Sequence, residues 1–68
     1  MKVFQERLIE LRKLNNLTQR QLAERLNISQ PSYIRYENGT SEPTLENLVI
    51  IADCFDVSVD YLLGRKEY

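Results

Sequence analysis

The sequence predicts an all-α fold of five short helices in one domain spanning residues 1–68, and three observations carry that reading. Apolar residues recur at intervals of three and four, the spacing that gathers them on one face of a helix. Threonine or serine stands ahead of most of these periodic segments, where a short oxygen-bearing side chain caps a helix. Only two glycines and two prolines punctuate the chain, and no alternating run reads as a strand. A chain this short buries only roughly 60% of its unfolded surface, so its core is small and its net stability is on the order of 3 to 10 kcal/mol.

The first helix runs from Val3 to Leu14, with Phe4, Leu8 and Leu11 on one stripe, and Asn15-Asn16 ends it. Thr18 with Gln21 three residues later forms a capping box for a second helix that starts at Gln19, buries Leu22, Ala23 and Leu26, and stops at Asn27. Asparagine tolerates the left-handed conformation of a tight turn. Ser29 caps the third helix, Gln30 to Asn38, and Pro31 lies in its first turn, where a missing amide has no intrahelical partner to lose. Gly39 stops it. After the loop to Pro43, Thr44 caps a fourth helix with Leu45, Leu48, Val49, Ala52 and Phe55 on its expected buried side, ended by Asp56. Ser58 caps a short fifth helix carrying Val59, Leu62 and Leu63, which Gly64 terminates.

The formal charge of -1 argues against a polyanionic partner until its distribution is read. Up to Gly39, Lys2, Arg7, Arg12, Lys13, Arg20, Arg25 and Arg35 face only Glu6, Glu10, Glu24 and Glu37; from Thr40 onward Arg65 and Lys66 face six carboxylates. The first part is positive and the second negative, a pattern that ordinary solvated helix faces also produce. Cys54, the one cysteine, lies in an apolar run and reads as a buried free thiol, which excludes a disulfide framework and fits a reducing, cytoplasmic setting. No apolar run approaches the roughly 20 residues needed to span a bilayer, and the N-terminus has no signal-peptide character. With no histidine, no metal-ligand spacing and no glycine-rich phosphate loop, the residues support neither an enzyme nor a metal or cofactor site. Asp53, Asp56 and Asp60 do not match a calcium loop and read as the end of one helix and the start of the next.

Only Asn27 and Ile28 separate the second helix from the cap of the third, so the two cross steeply, the geometry of a helix-turn-helix. On the third helix Tyr33 and Tyr36 face inward, which turns Gln30, Pro31, Ile34 and Arg35 outward. Glutamine pairs bidentately with adenine and arginine with guanine, whereas Pro31 and Ile34 offer apolar contact to a thymine methyl. Ile34 reads equally well as a partly buried surface residue.

Six blocks carry a family resemblance: Leu17-Thr18-Gln19, Gln21-Leu22-Ala23, Ile28-Ser29-Gln30, Arg35-Tyr36-Glu37-Asn38-Gly39, Glu42-Pro43-Thr44 and Val57-Ser58-Val59-Asp60-Tyr61-Leu62-Leu63-Gly64. In this order and at these separations the chain resembles the lambda-repressor-like, Cro-type helix-turn-helix family over nearly its whole length. The resemblance implies a five-helix bundle and a transcriptional regulator, here expected to be a repressor, that binds double-stranded DNA as a dimer. It places Gln30, Pro31 and Arg35 at base-facing positions, with Pro31 departing from the polar residues common there. It places Gln19, Ser29 and Asn38 at the phosphate backbone, with Arg20 near enough to contribute. Gln19 also opens a helix, where exposed amides and the helix dipole favour an anion, although a plain helix-start residue looks the same. Arg12 and Glu37 resemble a buried ion pair that fastens the first helix to the third in several relatives.

One such helix covers few base pairs, so a homodimer on a palindromic operator is expected, joined through Val57 to Leu63 with Tyr61 and Tyr68; the same residues would otherwise complete the monomer core. The alternative is a protein-binding module, such as an antitoxin or anti-repressor component, for which the acidic second part speaks.

Overall fold

The computed structural model describes residues Met1–Tyr68 and contains five helices and no strand: α1 (Lys2–Leu14), α2 (Gln19–Arg25), α3 (Gln30–Asn38), α4 (Leu45–Phe55) and α5 (Val59–Leu62). Each of the four expected caps forms. Thr18, Ser29, Thr44 and Ser58 accept the backbone N–H three residues on, at 3.0, 3.2, 3.1 and 2.9 Å respectively. A cap of this kind stabilises by about 1 kcal/mol, a large share for a chain with so small a core. Asn16, Asn27 and Asp56 close the ends of α1, α2 and α4 with φ of 56°, 56° and 53°, in the left-handed region that asparagine and aspartate enter most readily after glycine.

The core is one cluster drawn from every helix: Phe4 and Leu8 of α1, Leu22 and Ala23 of α2 with Leu26 behind them, Tyr33 and Tyr36 of α3, Leu48, Ile51 and Ala52 of α4, and Leu62 of α5. Helix α1 packs on α3 and α5, α2 on α3, and α4 on α5. The radius of gyration, 10.6 Å, agrees with the roughly 11 Å expected of a folded chain this long.

The buried side of α4 is in part the one expected: Leu48 and Ala52 are buried and Phe55 packs against the core, but two of the five expected residues are not. Leu45 is 83% exposed and Val49 50% exposed, whereas Ile51 is fully buried beside Leu48 and Ala52. Apolar residues occupy α4 almost all the way round, so several faces satisfied the helical period and only packing selected one. Cys54 also departs from expectation: it is half-buried, with its Sγ 3.1 Å from an Arg25 guanidinium nitrogen, not sunk in the core. Helices α2 and α5 each stop one residue early, with Leu26 and Leu63 as their C-caps.

A feature with no sequence forewarning ties the chain's two ends together. Arg7 of α1 stacks 4.1 Å over the Tyr61 ring and donates to the carbonyls of Tyr61 and Lys66, the latter at 2.8 Å. Its other terminal nitrogen reaches Glu67 at 3.3 Å. No helix is long and apolar enough to cross a membrane.

Candidate nucleic-acid interface

The α2–α3 pair is built from local bonds that leave its geometry little freedom. The Thr18 box is reciprocal, since the Thr18 amide donates back to the Gln21 side chain at 2.8 Å. At the other end of α2 the left-handed turn at Asn27 lets the Ile28 amide return to the Ala23 carbonyl at 3.1 Å. Ser29 then caps α3 at once, and Pro31 occupies the first turn, where its fixed φ suits the helix. Gly39 ends α3 with φ of 83°, a left-handed conformation that favours glycine. A Cβ at that position would stand 2.7 Å from Oε1 of Gln5, whose Nε2 donates to the Glu37 carbonyl.

Helix α3 has two unlike faces. Tyr33, Tyr36 and Glu37 are buried; their rings meet edge to face at 6.3 Å between centroids, and the Tyr36 hydroxyl accepts from Asn47 of α4 at 3.1 Å. Gln30, Pro31 and Arg35 lie exposed on the opposite side, with Ile34 half-buried between the two. Three of the four residues expected at base edges therefore lie on the exposed side of the helix with Ile34 at its border, and Gln30 and Arg35, which carry hydrogen-bonding groups, are exposed.

Beneath α3 lies a polar network centred on Glu37, the one charged side chain in the core. Arg12 grips it with two bonds, Nε to Oε2 at 2.6 Å and a second nitrogen to Oε1 at 3.3 Å, and donates a third to the Leu17 carbonyl at 3.0 Å. Tyr33 donates its hydroxyl to Oε2, and Gln19 donates its amide nitrogen to Oε1 at 3.0 Å. Burial alone would push the Glu37 carboxyl upward, but the hydrogen bonds from Arg12, Tyr33 and Gln19 outweigh it and hold the group below the ordinary carboxylate range. The same bond to Glu37 raises Arg12 above its usual value against the opposing effect of burial. Tyr33 is pushed well above the usual phenol range, by burial first and by the carboxylate second. No buried side-chain nitrogen or oxygen lacks a partner, so this charge enters the core fully compensated.

The residues expected at the phosphate backbone fall along the ends of α2 and α3. Gln19 is half-buried and already bonded to Glu37; its nitrogen carries a second N–H. Arg20 is exposed, its nearest charge being Glu24 at 4.0 Å. Ser29 is exposed, and its oxygen serves as the α3 cap while its hydroxyl donates to Ser32 at 2.9 Å. Asn38 accepts from the Thr40 amide at 3.3 Å and hydroxyl at 2.8 Å, which leaves its own N–H groups unspent. Sequence reasoning had not singled out Thr40 or the Gln19–Glu37 bond. The Asn38-Gly39-Thr40 string contains the local turn signal for the first; no sequence signal exists for the second, because it joins residues 18 positions apart.

By sequence the chain has relatives among known proteins. The sequence model of a family described as "Helix-turn-helix" matches residues 8–62. The cryptic phage CTXphi transcriptional repressor RstR of Vibrio cholerae is 51% identical over 62 residues, covering 91% of this chain and 55% of that protein. The uncharacterized HTH-type transcriptional regulator YobD of Bacillus subtilis is 48% identical over 65 residues, 96% of this chain and 58% of its own length. The antitoxin PezA of Streptococcus pneumoniae is 44% identical over 57 residues, 84% of this chain and 36% of that protein. The chain thus spans little more than half the length of the first two relatives.

Proposed function

This chain belongs to the helix-turn-helix family, and from that premise we propose that it regulates transcription, as a repressor, by binding double-stranded DNA with α3 in the major groove. The observation that carries the reading is the division of α3: its inner face is locked into the core by Tyr33, Tyr36 and Glu37, and its outer face presents Gln30 and Arg35 exposed. Gln30 and Arg35 read base edges, Pro31 and Ile34 supply apolar contact to thymine methyls, and Gln19, Arg20, Ser29 and Asn38 set the register on the phosphates. Arg20 and Arg35 are exposed, and their charges are of the sign that attracts a phosphate backbone.

Two copies on a palindromic operator complete the reading, with half-sites about one helical turn apart. Val57, Val59 and Leu63 pack in part against the monomer core and Tyr61 lies under Arg7, so the homodimer surface is what these residues leave exposed together with Tyr68; Leu62 is wholly inside the core and takes no part. Such a regulator works where the DNA is, in the cytoplasm of a cell of the kind its relatives come from.

Selecting bound duplexes from a random pool tests the proposal directly, with a two-fold symmetric preferred sequence as the expected result. On that sequence Arg35→Ala weakens binding about ten- to a hundredfold while leaving the thermal melt in place. Equal loss on scrambled duplex would remove Arg35 from base readout. The antitoxin relative keeps a second reading in view, in which this surface grips another polypeptide. Salt separates the two, because affinity for duplex falls with a slope of roughly −0.9 per neutralised phosphate, and no duplex binding at low salt favours the polypeptide.

A further inference from the structure

The bond from Gln19 to Glu37 links the deepest charge in the molecule to a residue at its surface. A carboxylate only accepts, so Gln19 must turn its nitrogen toward Glu37, and one of its two N–H groups is spent there. The side chain has no second choice of orientation. The carboxylate in turn has none either, since Arg12 grips both of its oxygens and Tyr33 bonds to one of them. The chain of contacts runs from α1 through α3 to the first residue of α2, whose half-buried side chain keeps one N–H unspent.

We infer that Glu37 is a positioning residue for recognition of the DNA phosphate backbone, acting through Gln19, whose side chain it holds in the binding conformation before the DNA arrives. This inference rests on the DNA-binding reading and assigns Glu37 a task beyond holding α1 to α3. A free glutamine loses its rotamer freedom when it grips a phosphate; one already fixed has lost it on folding. The benefit is an affinity about two- to tenfold higher, equal on every duplex, because a backbone contact is blind to sequence.

Removing Glu37 alone strands Arg12 and endangers the fold, so the variant of choice replaces both, Arg12→Met with Glu37→Leu, in a Tyr33→Phe background that leaves no buried hydroxyl without a partner. It is compared in that background with the otherwise unmutated chain, with Gln19→Ala and with the triple variant, on the selected operator and on scrambled duplex. The expected result is a two- to tenfold loss on both duplexes for the paired replacement, and no loss from it when Gln19 is already alanine, so that the triple variant binds like Gln19→Ala alone. Losses that multiply in the triple variant would overturn the inference and leave the DNA reading standing; absence of duplex binding by the unmutated chain would overturn both. A second measurement needs no variant. Nitrogen relaxation of the side-chain amides in the DNA-free protein is expected to find Gln19 as rigid as the helix backbone and Gln30 mobile, and a Gln19 as mobile as Gln30 would sink the inference even if the paired replacement failed to fold.

Discussion

Two arginines five positions apart on α1 are both nearly buried, and they hold opposite ends of the molecule by different means. Arg12, 12% exposed, meets Glu37, 8% exposed, in a pair shut away from water. Arg7, 18% exposed, meets two backbone carbonyls and the face of Tyr61, and its only charged partner, Glu67, is 91% exposed. The first arrangement binds α1, α2 and α3 into one unit, because losing either partner leaves a naked charge inside. The second ties α5 and the tail to α1 with dipoles that water can replace. The region under the DNA-reading helix is thereby made all-or-none, and the opposite end is fastened reversibly.

Mutations at the two arginines test that contrast. Arg12→Ala strands Glu37 and is expected to cost about 3 to 5 kcal/mol, comparable with the whole stability of the fold, so that circular dichroism at room temperature reports a chain largely unfolded. A melt close to that of the parent would break the contrast at its strongest point. Arg7→Ala is expected to cost less, about 1.5 kcal/mol, the lower end for hydrogen bonds from a charged group. Its signature is local: amide exchange speeds up in α5 and the tail while α2 and α3 keep their protection.

Acid sharpens the comparison further. The carboxyl of Glu37 lies lower in the fold than in the unfolded chain, so its contribution is complete above its unfolded value near pH 4.3 and is lost as the pH falls through the folded value. The melting temperature of the parent and of Arg7→Ala should therefore drop together below about pH 4. In the paired replacement of Arg12 by methionine and Glu37 by leucine that part of the acid dependence should vanish, and an unchanged acid profile would deny Glu37 its depressed titration. Smallest of all, Glu67→Ala removes a partner exposed to solvent and is expected to shift stability by less than about 0.5 kcal/mol in urea titrations.

Much of this architecture was legible from local patterns. Thr18, Ser29, Thr44 and Ser58 announced four helix starts because a cap bonds only three residues away, and Gly39 announced the end of α3 because few other residues reach its φ. The outward set Gln30, Pro31 and Arg35 followed from helical period once Tyr33 and Tyr36 were turned inward. Where the pattern was degenerate it misled, as with Leu45 and Val49, which stay exposed while Ile51 joins the expected Leu48 and Ala52 in the core. The contacts of Arg7 and the bond from Gln19 to Glu37 were invisible for a different reason: each joins distant residues through side chains whose types are common on any solvated helix. The pairing of Arg12 with Glu37 was reached through family resemblance alone.

The closed turn between α2 and α3 limits how such a protein can diversify. Each residue added to a helix advances its side chains by about 100°, so a single insertion between Gln30 and Arg35 would turn the arginine to the inward position that Tyr36 now holds. One placed between Arg25 and Ser29 would undo the return of the Ile28 amide to Ala23. New specificities are thus open to this scaffold by exchanging side chains on the outer face of α3, while changes in length are closed to it.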